Sequence, residues 1–170
     1  MVFNWDDYSQ TNNRLDLLER LKKVRNDFKC TVFAVPNQGS PDFWDKTPDW
    51  IELAVHGWDH PDPREAENWS YGQMDDYMAR VHSRFVHGFK APGWQISDAS
   101  YLWLLRHNWW VADQDYNDER RPKALRVYKI GSNWHGHIQD VMGNGLEETW
   151  DRVLELVKSA EGFNFISEVV

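Results

Sequence analysis

Short apolar runs alternate with amphipathic stretches along the whole chain, and this alternation restricts the fold to repeated strand–helix units. The apolar runs at 2–5, 30–35, 51–55, 86–91, 109–112, 126–130 and 163–166 read as strands. Leu17, Leu21, Val24 and Phe28 recur at spacings of four, three and four, which predicts a helix over 12–28 with one apolar stripe. A proline at its start marks a short helix over 41–46. Ser70 and Gln73 form a capping-box pattern that opens a helix carrying Met74, Tyr77, Met78, Val81 and Phe85. Ser97 caps a helix with Tyr101, Leu102, Leu104 and Leu105, and the last helix starts near Gly145 and buries Leu146, Trp150, Val153, Leu154 and Val157. Crossovers of this length imply largely parallel strands. In such folds functional residues gather on the rim where strands end.

A chain of 170 residues favours one domain, taken as 1–170. Net charge is −8 and the basic residues are scattered, which argues against nucleic acid as a partner. No stretch approaches the ~18 apolar residues of a membrane span. The N-terminal residues carry no secretory pattern, so the expected location is the cytoplasm, or a host's cytoplasm if the chain is phage-encoded. Cys30 is the single cysteine and lies in an apolar run, which excludes an internal disulfide and points to a buried small hydrophobe. Eleven tryptophans are many for this length; indole faces suit sugar rings, and indoles also fill cores.

Polar clusters stand just after most of the expected strands. Asp6-Asp7 follow the first, His56-Gly57-Trp58-Asp59-His60 the third, and Lys90 to Trp94 end the fourth. Asp113 and Asp115 follow the fifth, and His135 and His137 the sixth. A parallel sheet or barrel brings all of these to one rim. Gly57 within the pair and Pro61 after it place His56 and His60 in a loop opening and not on one helix face as in a helical His-x-x-x-His, but a compact loop can still aim both rings at one ion. Two imidazoles and one carboxylate suit zinc or another first-row divalent metal with open positions. Of two adjacent acids, one can bind the metal while the other accepts a proton from the activated water. An imidazole, His135 or His137, can supply the proton that a leaving nitrogen needs.

In order and spacing these clusters resemble the polysaccharide deacetylases with a NodB-homology domain, of the carbohydrate esterase family four type. Asn4-Trp5-Asp6-Asp7-Tyr8 is similar to the first motif, Thr-Phe-Asp-Asp-Gly, and His56-Gly57-Trp58-Asp59-His60-Pro61 to the second, His-(Ser/Thr)-x-x-His-Pro. Phe89-Lys90-Ala91-Pro92-Gly93-Trp94 resembles the groove-walling Arg-x-Pro segment, and Asp113-Gln114-Asp115-Tyr116 the fourth motif. His135-Gly136-His137 lies where the fifth motif places its histidine.

The resemblance implies a deformed (β/α) barrel of mostly parallel strands. It implies Asp6 as base and Asp7, His56 and His60 as ligands of one divalent ion, most often Zn2+, with Co2+, Ni2+ or Fe2+ as alternatives. It further implies His137 or His135 as acid, with a slight preference for His137, and a substrate groove formed by Lys90, Pro92, Gly93, Trp94, Asp113 and Asp115. The implied activity is hydrolysis of N-acetyl groups on N-acetylglucosamine-type sugars. Alternatives are a hydrolase of another non-peptide C–N bond, or a binding module of the same fold without turnover. The short chain suits a small sugar or short oligosaccharide. Three positions depart from the family. Lys90 replaces an arginine and loses its bidentate fork, Gly57 replaces a Ser/Thr and leaves the metal loop less braced, and two histidines stand where one is usual. Trp58, Trp94 and Tyr116 are candidate aromatic walls by position.

Overall fold

In the computed structural model, which describes residues 1–131 and 133–170, one parallel sheet of seven strands carries the molecule. Its strands are β1 (Phe3–Tyr8), β2 (Cys30–Ala34), β3 (Ile51–His56), β4 (Phe85–Lys90), β5 (Trp110–Asp113), β6 (Val127–Lys129) and β7 (Trp134–His137). They lie in the order β6-β5-β4-β3-β2-β1-β7. The helices α1 (Leu15–Val24), α2 (Pro41–Lys46), α3 (Tyr71–Met78) and α4 (Asp98–Arg106) link the first five strands in turn, and α5 (Trp150–Ser159) follows β7.

Each crossover steps the same way along the sheet, so right-handed connections place these helices on one face. The sheet curls away from them. Only a short connection joins β6 to β7, although these strands occupy opposite edges. Five peptide steps reach at most about 18 Å, so the edges approach each other as in a half-closed barrel.

The strands divide their side chains by alternation. Trp5, Tyr8, Val32, Leu53, Val55 and Phe89 pack with Leu18, Leu21, Met74, Tyr101 and Val153 in the main core between sheet and helices. Phe33, Ala54, Trp110, Ala112 and Tyr128 form a smaller cluster on the other face. Ile166 closes that cluster, and its segment is tied down where the Ile166 N–H bonds Thr31 Oγ1 (3.0 Å) and the Ser167 hydroxyl donates to Glu52.

Several expected boundaries move, each for a local reason. Helix α1 is shorter than 12–28: Arg14 is left-handed (φ 41°), Asn12 is used in tertiary hydrogen bonds, and Val24 points to solvent. The capping box at Ser70 and Gln73 is present, but Phe85 belongs to β4 and not to the helix. Helix α5 begins at Trp150 and not near Gly145, because residues 144–146 instead hydrogen-bond with His137. The expected last strand over 163–166 is absent. β1 already pairs with β2 and β7, so no edge beside it is free; Phe163 instead packs on Phe3 and Phe28, and Ile166–Glu168 forms a 3-10 turn. No helix among the described residues is long and apolar enough to cross a membrane.

Candidate active site

The C-terminal ends of β1, β3, β4 and β7 meet at one cleft of about 380 Å³. It is lined by Asp6, Asp7, His56, His60, Lys90, Gly93, Trp94, His135 and His137, together with Pro63, Gln139 and Val141. Nine of the twelve candidate site residues therefore converge. Pro92 sits just behind, against Gly57, where a β-carbon would approach its ring at 2.9 Å.

Asp113 and Asp115 do not line the cleft. Asp113 is buried and accepts hydrogen bonds from the Tyr101 hydroxyl and from Asn117 Nδ2 (2.8 Å), and it pairs with Arg121 at 2.9 Å. Asp115 is on the surface and pairs with Lys129 at 2.8 Å. A strand of alternating side chains followed by a 3-10 turn at Asp115–Asn117 turns these acids inward and outward, not toward the rim.

Asp6 and Asp7 reach the same cleft because β1 carries a bulge. Trp5 pairs with Val32 and Tyr8 with Ala34, so three steps on β1 match two on β2. Asp7 absorbs the extra residue at φ 66°. Its Oδ1 lies 3.3 Å from His56 Nε2 and 3.2 Å from His60 Nε2, and it has no hydrogen-bond donor among the described residues other than these rings. Its Oδ2 is approached by Gln139 Nε2 at 3.4 Å, and its carbonyl by Asn12 Nδ2 at 2.9 Å.

His56 is buried at the end of β3, with its Nδ1 3.1 Å from the Lys90 carbonyl. A carbonyl only accepts, so Nδ1 carries the hydrogen and Nε2 presents a lone pair toward Asp7. This is the orientation of a metal-ligating imidazole fixed by its outer hydrogen bond. One ligand atom from each of Asp7, His56 and His60 falls within 4.8 Å of the others. Two imidazole nitrogens and a carboxylate oxygen, with His56 buried and Asp7 and His60 partly exposed to the cleft, fit a divalent transition metal that keeps open positions. Without one, burial alone would raise the Asp7 carboxyl, but His56 and His60 outweigh it and hold it far below the ordinary range.

The loop that carries His60 is braced by a residue the sequence reading missed. Glu65 Oε1 and Oε2 accept from the backbone N–H groups of Trp58, Asp59 and His60 at 2.9–3.2 Å. These successive amides form a small anion-binding nest around the carboxylate. Gly57 is required there: its φ is 64°, and a β-carbon would meet the Glu65 carboxylate. The expectation of a weakly braced loop is thus corrected. The brace lies eight positions beyond Gly57 in the chain, where no short motif points to it.

Beside Asp7, His56 and His60, Asp6 is held by the Lys90 ammonium through Oδ2, while Oδ1 has no partner among the described residues. Burial raises the Asp6 carboxyl, but Lys90 first, then His56 and His135, bring it below the ordinary value. Burial also lowers Lys90, against the opposing pull of Asp6. His135 Nε2 and His137 Nε2 lie 3.7 and 3.8 Å from Asp6 Oδ2. Burial pushes the His135 ring down to about 4, and Lys90 and His137 add to this against Asp6. The His137 ring is lowered too, chiefly by burial.

Of the aromatic candidates, Trp94 lines the cleft, with Lys90 Nζ 3.9 Å from its ring centre. Trp58 packs beneath the loop that carries His60, stacked on Tyr77 at 5.3 Å with Arg80 over it. Tyr116 is exposed and outside the cleft. Most of the tryptophans are buried, so core filling accounts for the larger share.

The curled parallel sheet that carries this cleft has counterparts among solved structures. A family 4 acetyl xylan esterase from Clostridium thermocellum, solved with a cobalt ion, superposes with a TM-score of 0.69 at 16% identity, covering 99% of this chain and 88% of that one. The fold is that of the family 4 carbohydrate esterases. A Xyl-CE4 domain of a multidomain xylanase from the hindgut metagenome of Trinervitermes trinervoides matches with a TM-score of 0.64 at 16% identity, over 99% of this chain and 87% of that one. A T48 deacetylase solved with substrate matches with a TM-score of 0.56 at 13% identity, over 97% and 86%. No sequence-family profile and no curated protein matches the chain. The family 4 esterase fold agrees with the deformed parallel barrel expected from the sequence.

Proposed function

We propose that this chain is a metal-dependent deacetylase that removes acetyl groups from N-acetylated sugars. The observation that carries the reading is the convergence of Asp7 Oδ1, His56 Nε2 and His60 Nε2 beside Asp6, whose Oδ1 is free to accept a proton. The cobalt ion in the Clostridium thermocellum esterase supports a divalent ion as the partner of such a fold, and the donor set here favours zinc, with cobalt, nickel or iron(II) as alternatives.

When bound, a divalent cation supplies Lewis acidity, which polarises an acyl carbonyl and acidifies water. The chain's own residues supply the proton chemistry. Asp6 Oδ1 takes a proton from the attacking water, and the Lys90 ammonium keeps Asp6 ionised and oriented through Oδ2. His137 is the proton donor to the leaving nitrogen as the C–N bond breaks, giving acetate and a free amine. Trp94 and Val141 form the apolar side of the cleft against which an acetyl methyl packs.

The acetyl xylan esterase among the structural neighbours favours a second reading, hydrolysis of O-acetyl sugar esters. An alkoxide leaves more readily than an amide nitrogen, so that reaction depends less on His137. Acetate release should be measured on N-acetylated chito-oligosaccharides and O-acetylated xylo-oligosaccharides, after chelation and again after zinc or cobalt is restored. Release from the first panel on restoration supports the deacetylase, and release from the second alone supports the esterase. No acetate from either, with either metal, contradicts both and leaves a binding module of the same fold.

A further inference from the structure

Four buried or nearly buried side chains form one line of hydrogen bonds behind the cleft, and its direction is fixed at one end. Asn4 Nδ2 lies 2.8 Å from the Trp134 carbonyl oxygen. That oxygen only accepts, so the amide nitrogen of Asn4 must face it and Oδ1 must face the other way. Asn4 Oδ1 lies 2.8 Å from His135 Nδ1. An amide oxygen also only accepts, so Nδ1 carries a hydrogen. At the far side of the ring, Lys90 Nζ lies 3.2 Å from His135 Nε2 and also donates to Asp6 Oδ2. An ammonium has donors and no acceptor. A second N–H at Nε2 would set donor against donor and cation against cation, with Lys90 only 1% exposed.

We propose that His135 is a positioning residue: a neutral acceptor, oriented by Asn4, that holds the Lys90 ammonium against Asp6 and transfers no proton to substrate. An arginine would lock onto a carboxylate through its planar fork, and a lysine presents a point charge on a flexible stem. His135 is the second anchor that lysine needs at this place. Its catalytic consequence rests on the deacetylase reading above; its protonation and contacts do not. The line also separates the two histidines of β7, because Lys90 occupies Nε2 of His135 and makes no such bond to His137.

Two variants and one spectrum test this. In His135→Gln the side-chain oxygen takes the place of Nε2 as acceptor from Lys90; in His135→Leu no acceptor remains. His135→Leu is expected to lower kcat about 10–100-fold, the usual cost of losing an outer-shell orienting group, with KM little changed. His135→Gln is expected to recover most of that loss. Equal loss in both variants would show that the ring's proton is needed and would overturn the proposal. The spectrum is nitrogen-15 NMR of the imidazoles in the zinc-loaded wild-type protein at pH 7. A neutral His135 protonated on Nδ1 supports the proposal; protonation on Nε2, or an imidazolium, overturns it. The spectrum needs no turnover and no folded Leu variant. If the wild-type protein releases no acetate, the deacetylase reading falls and the spectrum alone decides the role of His135.

Discussion

Asp6 and Asp7 are consecutive residues, yet both carboxylates enter the same cleft, because the bulge in β1 holds Asp7 at φ 66°. In an unbroken strand successive side chains take opposite faces, and Asp7 would lie with Trp5 among the helix-facing core residues. The bulge places one carboxylate against His56 and His60 and the other against Lys90.

Asp6→Asn keeps the side-chain shape and removes the proposed base. Acetate release is expected to fall about 10²–10⁴-fold, with zinc affinity close to wild type. The substitution also leaves Lys90 buried without its counter-charge, so the unfolding temperature falls as well. Zinc titration and thermal unfolding beside the assay keep these effects apart. A folded variant that no longer binds zinc would place Asp6 among the ligands.

Glu65→Gln leaves one acceptor oxygen for three backbone donors and sets an NH2 group against the rest. Zinc affinity is expected to fall about 10–100-fold, read by competition with a chromophoric chelator. Gly57→Ala should act in the same direction, since its β-carbon meets the Glu65 carboxylate and its φ is 64°. Unchanged affinity in both would mean that the loop needs no brace.

In the proposed site, proton and metal compete for His60. Burial lowers this imidazole, but the hydrogen bond and charge of Asp7 outweigh it, and the ring sits above its ordinary 6.5. Zinc affinity should therefore still be rising above pH 6.5 and level off only once His60 is deprotonated. The metal-free protein shows the opposite sign. The folded state holds this proton more tightly than the unfolded chain, so the contribution is complete below 6.5 and is lost as pH rises through the folded value. Zinc titrations and urea unfolding of metal-free protein between pH 6 and 8 check both slopes; affinity that falls with rising pH contradicts the assignment.

Far from the cleft, Glu52 anchors the C-terminal segment by accepting from Thr31 Oγ1 at 2.8 Å and from Ser167. Burial raises its carboxyl above the ordinary 4.5, against those hydrogen bonds. Its contribution to stability is therefore complete below 4.5 and declines as pH rises through the folded value. Glu52→Gln imitates the protonated form. The variant should gain stability relative to wild type as pH rises from 4.5 to 7.5, seen in paired urea denaturation curves. A gap that narrows over that range would contradict the sign.

Much of this arrangement was legible in the sequence because strand ends are local features. Apolar runs end at Asp6, His56 and Lys90, and parallel topology alone brings such ends to one rim; His135 and His137 instead lie within β7, a strand that no apolar run marks. What the sequence hid depends on contacts between distant residues. Glu65 reaches the His60 loop through backbone amides, and Asn4 reaches His135 across 131 positions. Neither leaves a periodic or motif signal. Asp113 and Asp115 resembled rim residues by position, but Arg121 and Lys129, which carry no motif, draw them away. The run at 163–166 is apolar enough for a strand, but β1 has both neighbours already and Phe163 and Ile166 are used in core packing.

The central claim is that Asp7, His56 and His60 hold one divalent ion. It is tested most directly by isothermal titration of chelator-treated protein with zinc, beside the His56→Ala/His60→Ala variant. One site per chain in the wild-type protein and none in the folded variant is the expected result. No zinc binding by the wild-type protein, or equal binding by the variant, would contradict it.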